Sequence, residues 1–394
     1  MQVRPNAGRV VLRTPGASRG VWIAYAGFLV NGLGTVLLGP LLPRLESLWG
    51  LGDGAAGALL AALFLGMSLG TILVLRGQRR ALAAGAGCCW AGLSGMAVLV
   101  GFSWGPVRME ALACAALLLF GFGLGQAITT LNLEAGARVE GRSSRLSFGN
   151  AMWSVGAIGS PMVMAVALEG RSLRGWLLGL ALVFPAVWLW GGFDVEIGSR
   201  VEDEVRAGTA GAVVLVFAAL MFLYGGAEAC VSGWVTTFAR RAGGATLGAS
   251  PLSTSAFWFG VAGGRALAGV VLRGWQERSA LMVLVGGAAL ASLGLVFGSS
   301  MTSISVWAAL CGMMLGPAFA MLVAGALNQG ASARQTGVVL AMCGAGASAM
   351  PWLLGVVSER TASLREALVL PGVCLVGMFV LVLGFVREKQ GSGE

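Results

Sequence analysis

Residues 211–238 read GAVVLVFAALMFLYGGAEACVSGWVTTF, a 28-residue apolar run with a single charged side chain, Glu228, near its middle. About 20 apolar residues in a helix cross the hydrocarbon of a bilayer. The run is therefore long enough to span a membrane and too apolar to face water. An acid in mid-span costs about 2.5–3.5 kcal/mol on insertion scales, so Glu228 is expected to face a counter-charge or a wet cavity.

Eleven further segments of this kind are expected at 20–42, 55–75, 81–102, 110–132, 148–168, 174–193, 250–272, 279–298, 304–327, 336–357 and 366–386. Composition agrees: 57% of the 394 residues are hydrophobic and 11% charged, with a mean hydropathy of +0.84, against about 45–50% and about 25% in soluble domains. The 64 glycines suit closely packed membrane helices, where small residues let backbones approach. The longest interior polar stretch, Asp194 to Gly211, divides the spans into two sets of six. The reading is an all-α polytopic membrane protein: tail 1–19, six-helix bundle 20–193, linker 194–210, six-helix bundle 211–386 and tail 387–394.

The net charge of +9 comes from 25 Arg and one Lys scattered through short connections. No basic run with interleaved aromatics forms a nucleic-acid groove. With the N-terminus in the cytoplasm, tails and alternate loops place 17 basic residues inside and 8 outside, leaving Arg265 within a helix. Basic residues favour the cytoplasmic side, so both termini are expected there, in the inner membrane of a bacterium. The first run exceeds the h-region of a signal peptide and is read as a retained helix. The seven cysteines lie in apolar stretches without CxxC spacing, and the chain has no His. His-ligated metal sites and Ser-His-Asp catalysis are excluded on that ground. No cofactor, metal or enzymatic activity is expected.

The two sets of six echo one another. Phe64-x-Gly66-x-x-x-Gly70 in the second segment matches Trp258-x-Gly260-x-x-x-Gly264 in the eighth. Gly121-x-x-Leu124-Gly125-x-Ala127 matches Gly312-x-x-Leu315-Gly316-x-Ala318, and Gly156 before Pro161 matches Gly346 before Pro351. The offsets of 194, 191 and 190 are nearly constant, which argues for a parallel repeat of six helices. Two such halves can rock about a midplane site.

With these motifs the chain resembles the major facilitator superfamily over residues 20 to 386, and within it the fucose-permease-like, sugar-porter branch. The seventh segment, Phe222-Leu-Tyr224-Gly225-Gly-Ala-Glu228-x-x-x-x-Gly233-Trp234, is similar to that branch's Tyr-x-Gly-x-Glu and Gly-Trp pattern. Phe257-Trp258-x-Gly260-x-x-x-Gly264-Arg265, Gly121-x-Gly123-x-Gly125 with Asn132, and Leu41-Leu42-Pro43 at the first segment's end are also similar. Gly70, Gly77, Arg79 and Arg80 follow the superfamily's signature between the second and third helices, but Val74 stands at its Asp position. Ile128 stands where related members often carry an acid. The resemblance implies a secondary transporter working by alternating access.

Glu228 is the expected proton-coupling residue. Asn31, Gln126 and Asn132 are candidate solute contacts, since amides both donate and accept; Thr129 and Thr130 are weaker ones. Trp234 is the aromatic candidate, although six residues beyond Glu228 it points some 120° away round the helix. Arg265, Pro161, Pro351, Gly70, Arg79 and Arg80 are expected to gate or to shape helices. The expected partners are a small polar solute (a sugar is one such), protons and the lipid bilayer, with no nucleic acid, and proton-coupled import leads. Proton-driven efflux of an amphipathic compound is second, because Gly156-x-x-Gly159-Ser160-Pro161 resembles an exporter pattern. A non-transporting membrane sensor or assembly subunit is the reading from another class.

Overall fold

The computed structural model describes residues 17–78, 80–137, 142–170, 172–191 and 211–385. Arg79, the linker and most of both tails lie outside the described residues. Those described form helices and connections, with no strand among them. Within the hydrocarbon a helix satisfies its own backbone polar groups, so the apolar runs have no other stable form.

The first crossing is made by α1 (Ala17–Val36) and α2 (Leu38–Trp49). Pro40 has no N–H for the Val36 carbonyl, and the chain bends at Leu37 before resuming. The expected end near residue 42 is corrected to Trp49: Leu45 and Trp49, both buried, continue α2 beyond Pro43. Then follow α3 (Asp53–Leu75), α4 (Ala81–Leu99), α5 (Pro106–Ala137), α6 (Arg142–Glu169) and α7 (Leu173–Gly191). The second set is α8 (Gly211–Arg241), α9 (Leu252–Val271), α10 (Glu277–Val296), α11 (Met301–Asn328) and α12 (Ala333–Thr361), closed by α13 (Leu364–Ala367) with α14 (Val369–Phe385) as one last crossing. Among the described residues fourteen helices thus make twelve crossings, ten of them long and apolar enough by themselves to span a membrane. The other two are α7, whose described apolar part is short, and α9, which is diluted by Ser253, Thr254, Ser255 and Arg265.

The repeat seen in the sequence is a repeat of helix crossings. Gly66 and Gly70 of α3 lie against the carbonyls of Leu118 and Phe122 on α5, and Gly121 and Gly125 of α5 against those of Leu63 and Met67. In the second half Gly260 and Gly264 of α9 meet Ala309 and Met313 of α11, while Gly312 and Gly316 meet Phe257 and Val261. Gly156 lies on Leu29 of α1 as Gly346 lies on Phe222 of α8. At each position a Cβ would overlap a backbone oxygen. The glycines are there because backbones touch.

The halves meet along α3 with α12, α6 with α9 and α2 with α8. Pro351 of α12 takes part directly, its carbonyl lying against Gly57 of α3. Pro161 lies inside α6 and Pro185 inside α7.

Candidate functional site

Glu228 lies one turn before the point at which α8 meets α2 of the other half. Ser232, one turn on, presents its carbonyl to Gly39 of α2, and four residues turn a helix by only about 40° past one revolution. Tyr224, one turn earlier and fully buried, donates its hydroxyl to Glu228 Oε1 at 2.9 Å. The Tyr224 ring leans on Phe319 of α11, 5.7 Å between centroids.

From α9, Arg265 lies within electrostatic reach of both Glu228 and Tyr224. Its Nε donates to the Gly316 carbonyl at 3.2 Å, an oxygen within reach because Gly316 and α9 are in backbone contact. Arg265 and Glu228 are each partly buried. Each lies thirteen residues from the connection between α8 and α9, about 20 Å at 1.5 Å per residue. Cys311 of α11 and Cys343 of α12 complete the surroundings of the carboxylate.

Above this depth the halves are sealed. Trp153 of α6 packs edge-on against Trp258 of α9, 5.2 Å between centroids and 76° between planes. Ser255 Oγ donates to the Ile158 carbonyl at 2.9 Å. At the end of the helices Arg241 of α8 holds Asp53 of α3 with two bonds, of 2.9 Å to Oδ2 and 2.7 Å to Oδ1, and reaches Glu46 of α2 at 3.0 Å. Ser358 of α12 donates to Asp53. The N-cap of α3 is Gly52, which has no side chain to cap with, and Glu359 of α12 takes that role from the other half, accepting the Gly54 N–H at 2.9 Å. The seam continues down α3 to Ser68, whose hydroxyl abuts Gly344.

The residues expected from sequence are placed differently from one another. Asn31 is buried inside the first half, its Nδ2 donating to the Leu124 carbonyl at 2.9 Å. Gln126 is fully buried and donates at 2.6 Å to Gln78, just after α3, so it ties a connection to α5. Asn132 bonds the Ile128 carbonyl of its own helix, as Thr130 bonds that of Gln126, and Thr129 donates to Thr71 of α3. Trp234 is fully buried, its Nε1 donating at 3.1 Å to the Pro351 carbonyl; the structure places it in the wall of the second half. Arg80 starts α4 with a left-handed φ of 54°. Glu228 and Arg265 are the expected residues that the fold brings within electrostatic reach, with Tyr224 bonded to the acid; Arg241, Asp53, Glu46 and Glu359 form a separate cluster at the end of the helices, unforeseen. The described residues hold no group of three or more His, Cys, Asp or Glu placed to bind a metal.

Two six-helix halves joined in this way, with matching crossings, have the fold of the major facilitator class of integral membrane proteins. No family model matches the chain, and no curated protein matches its sequence. Among solved structures it is similar to a D-xylose–proton symporter, with a TM-score of 0.76, 14% identity, and 95% of this chain and 99% of that one covered. A mutant of the nucleoside transporter NupG gives 0.75 at 11% identity, covering 93% and 100%. The inward-open xylose transporter XylE from E. coli gives 0.70 at 15%, covering 94% and 97%. At these identities the likeness is one of fold.

Proposed function

We propose that the chain is a secondary transporter of the major facilitator superfamily, in its sugar-porter-like branch, which carries a small polar solute by alternating access in step with a proton. The observation that carries the reading is Glu228: an acid about 20 Å deep, partly exposed, one turn from where α8 meets the other half, with Tyr224 bonded to it and Arg265 within electrostatic reach. An acid placed to fasten helices together would be enclosed by them. The seam above it is shut, and on this reading its exposed surface opens to the opposite face. The basic-residue bias makes that face the cytoplasmic one, in a bacterial inner membrane, and the bundles 20–193 and 211–386 are the bodies that rock. The fold's known neighbours, a xylose–proton symporter and a nucleoside transporter, support solute carriage over the sensor and enzyme readings.

The test is solute uptake into proteoliposomes under an imposed pH gradient. Uptake should follow the gradient, its sign deciding between import and export. Glu228→Gln should lose gradient-driven accumulation while solute exchange at equal pH continues. Accumulation that keeps its pH dependence in Glu228→Gln would reject the coupling role.

A further inference from the structure

The charge on the walls of the seam constrains which solute can travel with the proton, given the transport reading above. Arg265 follows Trp258 by seven residues, or about 340° round α9, so it lies on the face that brings Trp258 against Trp153 of the first half. Its Nε is committed to Gly316. Its two Nη groups are neither hydrogen-bonded nor buried among the described residues, and the same holds for Oε2 of Glu228. From the first half, Ser68 abuts Gly344, next to Cys343, and Trp153 packs on Trp258 nearer the shut end; both are uncharged. The titratable or charged groups facing Glu228 are Tyr224 of its own helix, Arg265 of α9, Cys311 of α11 and Cys343 of α12.

A guanidinium stays cationic at any working pH. With Glu228 ionised, the Glu228–Arg265 pair is neutral and can be enclosed. With Glu228 carrying a proton, the same wall holds one uncompensated positive charge. Closing the two halves over it strips water from a lone cation, which is far costlier than enclosing a pair. A neutral solute leaves that charge standing. A solute with one negative charge cancels it, and a phosphate dianion overshoots.

We infer that the solute is a small monocarboxylate, held by the free Nη1 and Nη2 fork of Arg265, whose planar geometry matches a carboxylate. When Glu228 takes one proton from the open side, its charge no longer balances Arg265; the solute carboxylate takes over that balance, and Glu228 keeps its bond to Tyr224. On the far side the carboxylate leaves, the proton leaves Glu228, and the ionised acid again balances the charge of Arg265. One proton and one anion cross together, the empty protein returns as a neutral pair, and no net charge is moved in either direction. Arg265 is then the residue that selects for a carboxylate, and Glu228 the one that ties its passage to a proton.

The test uses matched probes with and without the acid group: D-glucuronate with D-glucose, D-gluconate with D-glucitol, and L-lactate with 1,2-propanediol. Binding is read by thermal stabilisation of the purified full-length protein, and transport by uptake into proteoliposomes with the membrane potential clamped or imposed. At least one carboxylate should stabilise the protein and enter with the pH gradient at a rate indifferent to potential, while its neutral counterpart does neither. Arg265→Gln should weaken that binding roughly tenfold or more, Arg265→Lys should recover part of it, and Glu228→Gln should bind the carboxylate but not accumulate it. Retained monodispersity and thermal stability without ligand show that the variants fold. The inference is overturned if no carboxylate binds, if its binding is unchanged in Arg265→Gln, or if the potential drives its uptake. Neutral probes accumulating with protons would sink the inference and leave the carrier reading standing; no probe moving under any gradient would sink both.

Discussion

Tyr224 holds Glu228 from the same helix at 2.9 Å, a contact that the helical period alone permits, since side chains four residues apart are neighbours on a helix face. A hydrogen bond to a charged group contributes about 1.5–3 kcal/mol, and in the proposed cycle Glu228 gains and loses a proton while it keeps this bond. Tyr224→Phe is therefore expected to leave the fold intact and to slow proton-driven uptake by about tenfold, while equal-pH exchange falls much less; the two assays in one liposome preparation check it. An equal loss in both would place Tyr224 in solute binding instead. The acid itself was legible in the sequence, because a charge in the middle of a long apolar run is costly unless a counter-charge or a wet passage meets it. Its partner Arg265 was visible as a residue but not as a partner, because nothing local says that α8 and α9 bring these two positions to one depth. Trp234 shows the limit of motif spacing. It belongs to the same motif as Glu228, yet the angle of about 120° between them turns it into α12, where its indole meets Pro351. Asn31 and Gln126 likewise read as equally fit for a solute or for a helix; in the fold their amide nitrogens bond neighbours, while Asn31 Oδ1 and Gln126 Oε1 take no partner among the described residues.

Among the helices, the second and eighth crossings show why a composition rich in glycine specifies a structure. Gly263 and Gly264 are adjacent on α9, but a Cβ on Gly263 would meet open space, whereas one on Gly264 would meet the Met313 carbonyl of α11. Gly264→Ala is expected to force the two helices apart, an overpacking cost of about 1–3 kcal/mol, and to lower the melting temperature of the purified protein. Gly263→Ala should leave it unchanged or raise it slightly, through the better helix propensity of alanine. Equal behaviour of the pair would show that α9 and α11 are not in backbone contact. The periodic matches between the halves could be read without coordinates because each side of a crossing needs its glycine at a fixed place along the helix. The end of the first crossing could not. Pro40 and Pro43 signal a stop, and it is the burial of Leu45 and Trp49 that carries the helix on for almost two more turns past Pro43.

At the scale of the whole molecule, the charges at the shut end of the seam act as a latch between the halves. Arg241 from the second half bridges Asp53 and Glu46 from the first, and Glu359 caps α3 in place of any side chain of its own half. None of this was foreseen from the sequence, in which Arg241 lies 188 residues from Asp53 and Glu359 lies 305 from Gly54. The Arg241 side chain is 41% exposed, so its bonds are screened and are worth no more than about 1 kcal/mol together. That is enough to tilt two states of similar energy by about fivefold, and too little to lock them. Arg241→Ala is thus expected to fold normally and to populate the state open at this end about fivefold more. A thiol introduced at Ser68 in a cysteine-free chain reports it, because the shut seam covers Ser68 from that side. Its labelling by a membrane-impermeant maleimide, added on the side of the α8–α9 connection, should quicken by the same factor. Conversely, a short bis-maleimide joining Gly54→Cys to Glu359→Cys should hold the end shut and stop net uptake, with Ser68→Cys still reactive from the opposite side. Uptake that continues at full rate with the two halves tied together there would mean that this end never opens, and alternating access through it would have to be abandoned.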